Sequence, residues 1–128
     1  MSRPTPSATE TLGARFAAAI EGRDRTALRR LFATPVQFRA VTPSRFWDAE
    51  TPSDVADIVL GTWFDESRQI THVGLVEDDT VGDLSKISYR MSVATESGPT
   101  VIEQVAYYRV QDDRITHLRL VCSGFRSV

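Results

Sequence analysis

The stretch Val101–Phe125, VIEQVAYYRVQDDRITHLRLVCSGF, alternates apolar and polar residues on both sides of an Asp-Asp pair. Alternation of this kind, interrupted by a polar turn, is typical of two antiparallel β-strands with one buried face. We predict these strands over residues 100–110 and 115–124. Because one face of the hairpin is apolar, other elements of the chain must cover it.

The length of the turn decides which side chains of this hairpin face the core, because a shift of one residue turns every side chain to the opposite face. A two-residue loop, residues 112–113, would expose the apolar set Leu118, Leu120 and Cys122. A three-residue loop, residues 112–114, buries that set and aligns Gln104 with Cys122, and it requires left-handed backbone at Asp113. Burial favours the second pairing, which we adopt.

The second half of the chain as a whole has the pattern of an antiparallel meander. Two further strands are predicted, at about residues 69–77 and 85–94, and polar segments separate them from the hairpin. A loop over Glu96–Pro99 would set Met91 opposite Gln104 and Tyr89 opposite Ala106. All four of these side chains then lie on the inner, mainly apolar face of the sheet.

The first half of the chain is mainly helical. From Thr9 onward, apolar residues recur at four-residue spacing and predict one amphipathic helix that buries Leu12, Phe16 and Ile20. Asp24 is placed to cap a second, short helix, and Thr51 is placed to cap a third. A strand over Val36–Val41 separates the second helix from the third.

This order of elements predicts an α+β fold in which three N-terminal helices pack on one face of a strongly curved antiparallel sheet. We interpret residues 1–8 as a flexible arm, since they are rich in proline and serine. Residues 9–128 are predicted to form one domain, because a chain of 128 residues is the usual size of a single domain.

The composition limits the partners and the compartment. A formal net charge of −2 provides no general attraction to a polyanion, so nucleic acid is not expected as a partner. A single cysteine cannot form an internal disulfide, and the longest apolar run, Phe16 to Ile20, is too short to cross a bilayer. We therefore expect a cytoplasmic protein without a membrane segment, and the residue pattern indicates neither a metal site nor a cofactor.

The layout of the chain resembles that of the nuclear transport factor 2-like superfamily, and in particular that of small SnoaL-like bacterial proteins of an uncharacterised branch. The likeness is carried by three stretches, ATETLGARFAAAIEGRDRTALRRLFA, RFWDAETPSDVADIVLGTWF and VIEQVAYYRVQDDRITHLRLVCSGF. Together they cover nearly the whole chain. The resemblance implies that residues 9–128 form a cone-shaped, barrel-like domain with an apolar pocket inside, and that dimers form through the outer face of the sheet.

The resemblance also implies a range of activities, because the superfamily includes steroid isomerases, polyketide cyclases, dehydratases, epoxide hydrolases and domains that only bind. Arg90 resembles the strand arginine of the epoxide hydrolases, but Ser92 stands where they have an aspartate. His117 stands where the cyclases have an aspartate, and residues 35–41 lack the aspartate base of the steroid isomerases. His72 and His117 resemble the histidine pair of the dehydratases only if both face inward.

Five inward residues form the candidate ligand-binding set, together with Trp47 at the mouth of the cavity. Gln104 is the most informative, because an amide on a central strand must find hydrogen-bond partners in protein, water or ligand. Tyr89 and Tyr108 either orient a ligand or fill the core with their hydroxyls at its rim. Met91 lines the same face. Cys122 lies in the same row, where we interpret it as a packed thiol and not as a nucleophile.

Two residues are conditional catalytic candidates. His72 is the group whose unperturbed pKa suits acid–base work near neutral pH, and the length of the loop after residue 77 decides whether it faces inward. Asp48, in the turn before the third helix, would be its carboxylate partner. A structural role for His72 and for Trp47 is the alternative interpretation.

The outer face of the predicted sheet mixes apolar, aromatic and charged side chains, which is typical of an interface between protein chains. We therefore predict a two-fold homodimer through this face. Its surface would comprise Arg90, Glu103, Val105, Tyr107 and Arg119.

Two hypotheses about function remain open at this point. The first is a cofactor-independent isomerase, cyclase or dehydratase that acts by acid–base chemistry on a small apolar, ring-bearing molecule of polyketide or steroid type. The second is a domain that binds such a molecule, or forms a dimeric scaffold, without turnover. A titratable side chain aimed into the cavity would separate them.

Overall fold

The computed structural model describes residues 11–128, so the predicted arm of residues 1–8 lies outside the described part of the chain. Three helices occur in this part among seven strands, and the third helix continues as a π-helical turn over Val59–Trp63. The helices are α1 Leu12–Glu21, α2 Arg25–Arg30 and α3 Pro52–Ile58. The strands are β1 Phe32–Thr42, β2 Arg45–Ala49, β3 Gln69–Val81, β4 Leu84–Thr95, β5 Gly98–Gln111, β6 Arg114–Cys122 and β7 Arg126–Ser127.

The predicted α+β class is confirmed: the helices pack on one large curved sheet with the order β2-β1-β6-β5-β4-β3. Two features of the prediction are wrong. The sheet is mixed, because β1 runs parallel to β6, and it is not closed into a barrel, because β2 and β3 remain as its two edges. β7 pairs with the beginning of β5, beyond the point where β6 ends.

The helices begin where the sequence predicts capping residues. The Asp24 side chain accepts a hydrogen bond from the Ala27 amide at 3.0 Å, and Thr51 Oγ1 accepts one from the Asp54 amide at 3.1 Å. Both caps satisfy amides that have no partner inside the helix. At the start of α1, the cap is Thr11. The predicted helical residues Thr9 and Glu10 lie outside the described part.

The five-residue strand β2 is where the sequence predicts a turn. It forms an edge strand that pairs with β1, with Trp47 opposite Ala40 and Asp48 opposite Arg39. As an edge strand it has one neighbour, so five residues suffice, and a run this short carries little alternation to detect.

The pairing of β5 with β6 confirms the predicted alignment of Gln104 with Cys122, although the turn is different. Only Asp112 and Asp113 form the turn, both with positive φ, which is the two-residue geometry that matches the twist of a hairpin. The pairing shifts by one residue between Arg109 and Val110. This bulge supplies the extra residue that the predicted three-residue loop would have supplied.

The pairing of β4 with β5 differs from the prediction by two residues. Tyr89 lies opposite Gln104, and Met91 lies opposite Ile102, because the strands continue to Thr95 and Gly98 around a two-residue turn. A shift of two residues leaves every side chain on its predicted face. It does change which inward residues are neighbours.

The core lies between the concave face of the sheet and the helices. Helix α1 buries Phe16 and Ile20 completely, and Phe16 packs edge-on against Phe32 with ring centroids 6.0 Å apart. Gly13 brings α1 close to the sheet: a Cβ there would lie 2.7 Å from Tyr108 Oη and 2.8 Å from Ile87 Cβ. Glycine therefore permits this close approach of helix and sheet.

Candidate functional site

The centre of the concave face carries a polar pair in an apolar setting. Tyr89 on β4 and Gln104 on β5 lie directly opposite each other, and the Tyr89 hydroxyl donates a hydrogen bond to Gln104 Oε1. Phe16 packs against the Tyr89 ring, with centroids 6.4 Å apart. Cys122 lies on the other side of Gln104, on β6. The prediction that Tyr89, Gln104 and Cys122 face inward is therefore confirmed.

The Gln104 amide nitrogen has no hydrogen-bond partner. Gln104 is 1% exposed, and Nε2 is a buried atom without an acceptor within residues 11–128. The other buried polar side chain of this part of the chain, Thr100, is satisfied, because its hydroxyl donates to the Val93 carbonyl at 2.8 Å. An amide donor left alone in a core costs roughly 1–3 kcal/mol, so Gln104 is an exception that needs an explanation.

The pair supplies donors whichever way the amide is oriented. In the orientation described, the two Nε2 hydrogens are free and the Tyr89 hydrogen is used. If the amide is reversed, Nε2 donates to the Tyr89 oxygen, which leaves one amide hydrogen and the Tyr89 hydrogen free. Either arrangement leaves two donor hydrogens for an acceptor oxygen.

Tyr89 keeps its proton. Burial raises the pKa of the Tyr89 hydroxyl well above its ordinary value of 10, and the nearby thiol of Cys122 acts in the same direction. Desolvation disfavours the charged phenolate, which is the physical cause of this shift. Tyr89 is therefore a hydrogen-bond donor and not a base.

Tyr108 and Met91 also lie on the concave face, with different roles. The Tyr108 hydroxyl accepts a hydrogen bond from the Gly13 amide at 2.9 Å, so it satisfies one of the free amides at the start of α1. Met91 is completely buried, diagonal to Gln104 across the β4–β5 ladder. Its flexible thioether can take up several packings, which suits a wall that must adapt.

Cys122 is buried on the inner face, and its Sγ accepts a hydrogen bond from the Gly124 amide at 3.4 Å. Ser123 points the other way, and its Oγ accepts a hydrogen bond from the Glu103 amide at 2.9 Å. The side chains of Cys122 and Ser123 therefore do not belong to one catalytic site. Neither histidine lies on the inner face to act as a base for the thiol, which agrees with the interpretation of Cys122 as packed.

Trp63, on the π-helical turn after α3, meets Trp47 of β2 at one end of the concave face. Trp63 is buried and packs edge-on against Trp47, with ring centroids 5.9 Å apart. Trp47 Nε1 donates to Thr42 Oγ1 at 3.0 Å, and the Arg45 guanidinium stacks on the Trp47 ring. Trp63 Nε1, by contrast, has no partner within residues 11–128. Single π-helical turns occur frequently at functional sites.

The structure does not bring the conditional catalytic residues into this site. His72 pairs opposite Ser92 on the outer face of β3 and is exposed, so the orientation required for catalysis is not met. Asp48 is also on the outer face, where it forms an ion pair with Arg39 at 3.3 Å. The two residues lie on opposite edge strands of the sheet, so Asp48 cannot be the carboxylate partner of His72. His117 lies on the outer face of β6, as predicted.

The sequence analysis missed the second unpartnered donor, Trp63. The signal was present, because an indole N–H on the apolar side of a helix needs an acceptor when it is buried. Thr42 was also missed. The inward position of its hydroxyl could be recognised only from the pairing of β2 with β1, which the sequence pattern does not reveal. No group of three or more metal-ligating side chains occurs within residues 11–128.

No protein-family model matches the chain, and no curated protein sequence matches it. Several solved structures are similar. A protein with a ketosteroid isomerase-like fold from Catenulispora acidiphila, solved in complex with trimethylamine, is 20% identical with a TM-score of 0.71, over 94% of this chain and 88% of that one. An NTF2-like protein from Mesorhizobium loti is 20% identical with a TM-score of 0.66, over 88% of each chain.

A third similar structure is a SnoaL-like protein from Mesorhizobium loti, assigned as a polyketide cyclase. It is 16% identical with a TM-score of 0.62, over 85% of this chain and 94% of that one. At these identities the likeness concerns the fold. The chain therefore has the fold of the NTF2-like, ketosteroid isomerase-like and SnoaL-like proteins, as the resemblance predicts. Within residues 11–128, no helix is long and apolar enough to cross a membrane.

Proposed function

We propose that this protein binds a small, neutral, largely apolar molecule that carries a carbonyl or similar acceptor oxygen, and that it does so without catalysing a reaction on it. The observation that carries the proposal is the buried Gln104 amide, which has no partner at the centre of the concave face. A ligand oxygen with two lone pairs would satisfy the two free donor hydrogens of the Tyr89–Gln104 pair. The pocket-bearing fold of the similar proteins supports the same interpretation.

The ligand is expected to be neutral because no charged side chain is buried within residues 11–128. An ion moved into such a site would lose its hydration without gaining a counter-ion, and that cost is large. The surrounding side chains, Phe16, Met91, Ile102 and Leu120, are apolar and buried. A ring-bearing molecule with one polar end fits these surroundings best.

The binding alternative is favoured over the enzyme alternative by the lack of a usable base. General acid–base catalysis needs a group that can lose and regain a proton near neutral pH. His72, His117 and Asp48 lie on the outer face of the sheet, away from the Tyr89–Gln104 pair, and the raised pKa of Tyr89 keeps that hydroxyl protonated. The donors of the pair can orient a carbonyl, but the described residues offer nothing to remove a proton beside it.

Entry of a ligand requires side chains to move, because Gln104 Nε2 is fully enclosed by its neighbours. Met91 and the π-helical turn Val59–Trp63 are the elements that can move, one because its side chain is flexible and the other because its hydrogen-bonding departs from the regular α-helical pattern. The free energy recovered when the Gln104 donors find an acceptor would offset part of the cost of this opening.

Three matched aromatic probes test the ligand class. We expect 2-acetylnaphthalene to bind about tenfold or more tightly than 2-ethylnaphthalene, which lacks the oxygen, and 2-naphthoate to bind weakest, since a hydrogen bond in a buried site is worth about 1–3 kcal/mol. In the variant Gln104→Met, the ketone and the hydrocarbon should bind equally. Isothermal titration calorimetry or NMR titration measures all three constants.

Two results would contradict the proposal. One is tighter binding of the carboxylate than of the ketone. The other is an unchanged preference for the ketone in Gln104→Met. Proton transfer is tested separately, by following deuterium exchange from solvent into the methyl group of bound 2-acetylnaphthalene: protein-dependent exchange would favour the isomerase-type enzyme over the binding protein.

We also propose that the outer face of the sheet forms a two-fold homodimer. An apolar stripe crosses four adjacent strands there, from Phe46 through Val41 and Val121 to Val105, and Val121 is 59% exposed. A groove of about 470 Å³ beside it is lined in part by Tyr107 and Arg119. An apolar stripe of this kind is typical of surfaces that bind another protein chain.

The charges beside the stripe favour a second copy as the occupant. One flank carries the Arg39–Asp48 ion pair and the other carries the Arg90–Glu103 ion pair, each at 3.3 Å. Because both flanks hold both signs, a copy related by a two-fold axis can place acidic residues opposite basic ones. The predicted surface residues Arg90, Glu103, Val105, Tyr107 and Arg119 all lie on this face.

A charge in the stripe should disrupt the dimer. We expect Val121→Lys to yield a monomer in light scattering at a concentration where the natural chain is a dimer, because two buried, unpaired ammonium groups would meet at the axis. Val81→Lys, at the far end of β3, is the control and should remain dimeric. An unchanged mass for Val121→Lys would exclude this face as the interface.

We propose the cytoplasm as the compartment of this protein. The thiol of Cys122 is free and buried, which suits a reducing compartment.

A further inference from the structure

A second cleft lies on the surface, away from the concave face, where α2 meets the first residues of β1 and β6. Its volume is about 320 Å³, and its polar lining consists of Thr26, Arg29, Arg30, Thr34 and Arg114. None of the carboxylates within residues 11–128 lines it. The cleft is therefore a strongly basic recess on a chain whose formal net charge is −2.

Local geometry brings these side chains together. Thr26, Arg29 and Arg30 have the spacing i, i+3 and i+4, so they share one face of α2. Arg114 begins β6, next to Ile115, which pairs with Phe32 at the start of β1. Between Phe32 and Gln37, β1 leaves its ladder with β6, and the departing segment forms the wall that carries Thr34.

Unlike most other arginines, those of the cleft have no hydrogen-bond, ion-pair or stacking partner within residues 11–128. Most arginines within residues 11–128 bond to carboxylates, carbonyls or an amide, or stack on an aromatic ring, as Arg109 does with Asp83 at 2.9 Å and Arg68 does with the Trp63 carbonyl at 3.0 Å. The exceptions in this part of the chain are Arg15, Arg29, Arg30 and Arg114. All but Arg15 line this one cleft.

We propose that this cleft binds the phosphate group of a small phosphate monoester. A guanidinium group can donate two parallel hydrogen bonds to two phosphate oxygens, which is a bidentate geometry. Three guanidinium groups and two threonine hydroxyls can therefore donate to one phosphate dianion from several sides. A recess of this volume holds the phosphate and the first atoms of its organic group. The site is separate from the Tyr89–Gln104 pair on the concave face, and it takes a charged ligand where that pair is proposed to take a neutral one.

The position of Arg29 and Arg30 in the last turn of α2 has a simpler explanation, because basic residues there interact favourably with the helix dipole. That explanation does not include Arg114, which belongs to another element and points into the same recess. It also does not account for Thr26 and Thr34 beside the three charges.

An extended polyanion fits this surface poorly. Asp112 and Asp113 immediately precede Arg114, and Asp24 caps α2 two residues before Thr26. These carboxylates would repel the several neighbouring phosphates of a nucleic acid strand, whereas a small ligand brings only one phosphate near them. The distribution of charge around the cleft therefore favours a small ligand as its occupant.

Titration of the full chain with inorganic phosphate and with phenyl phosphate, followed by amide NMR at low ionic strength, tests this proposal. We expect saturating shifts confined to residues 26–34 and 114–116. Arg30→Gln and Arg114→Gln should each raise the dissociation constant of phenyl phosphate at least tenfold. Arg15→Gln, an equal change of charge elsewhere on the surface, should change it less than twofold.

Arg30 and Arg114 are both exposed, so Arg114→Gln should melt at the temperature of the natural chain. Arg30→Gln also loses a favourable interaction with the helix dipole and should melt within about 5 °C of it. Shifts that do not saturate, or an equal weakening in Arg15→Gln, would overturn the proposal in favour of general charge attraction. Tighter binding of a single-stranded oligonucleotide than of phenyl phosphate, lost in Arg114→Gln, would overturn it in favour of nucleic acid.

Discussion

Replacing Phe16 by alanine should lower the free energy of unfolding by about 3–5 kcal/mol, the usual cost of removing a fully enclosed aromatic ring. Phe16 is 0% exposed and joins α1 to two parts of the sheet. Its ring packs edge-on against Phe32 on β1 and at a tilt against Tyr89 on β4. Removal of the ring leaves a cavity that these neighbours cannot fill, because β1 and β4 are held in place by their own ladders.

Urea unfolding followed by circular dichroism measures this change in the Val121→Lys background, where the chain is expected to be monomeric, and Phe46→Ala is the matched control. Phe46 is the same residue type, but it is 80% exposed on the edge strand β2, so its loss should alter the stability of the monomer by no more than about 0.5 kcal/mol. If Phe16→Ala lowers the free energy of unfolding by less than about 1.5 kcal/mol, α1 does not pack on the sheet as described.

The sequence predicts which face of the sheet each side chain occupies. It predicts only in part which side chains of the same face lie next to each other on adjacent strands. Side chains in a strand alternate with a period of two, so burial of Leu118, Leu120 and Cys122 decides the inner face of β6. A shift of two residues in the pairing of the strands leaves the pattern of buried residues unchanged, because each inward residue is then opposite another inward residue. The pairing of Tyr89 with Gln104 therefore could not be read from the pattern.

Long-range order could not be predicted for a different reason. The parallel pairing of β1 with β6 joins segments about 80 residues apart in the chain, and no local signal marks it. The orientation of His72 depends on the bulge between Gly74 and Glu77, where the pairing of β3 with β4 shifts by one residue. Such a shift turns the side chains beyond it to the opposite face, and the alternation of apolar residues in β3 is too weak to reveal it.

Replacing both members of the polar pair, in the double variant Tyr89→Phe/Gln104→Met, should raise the free energy of unfolding by about 1–3 kcal/mol. The change removes the unpartnered Gln104 donors from the core and takes away the Tyr89 hydroxyl that would otherwise lose its acceptor. Methionine keeps the unbranched shape of glutamine, so the packing changes little. In the single variant Gln104→Met, the orphaned hydroxyl should cancel much of the gain.

Thr100→Val is the matched control, because Thr100 is also a buried polar residue of β5 but its hydrogen bond to the Val93 carbonyl is made. That variant should lose about 0.5–1.5 kcal/mol, so the two substitutions have opposite signs. A double variant less stable than the natural chain would mean that Gln104 is satisfied in the free protein and leaves no donor for a ligand. A more stable variant that no longer prefers the ketone over the hydrocarbon would mean that the chain retains an unsatisfied amide, at a cost in stability, because a bound ligand supplies its partner.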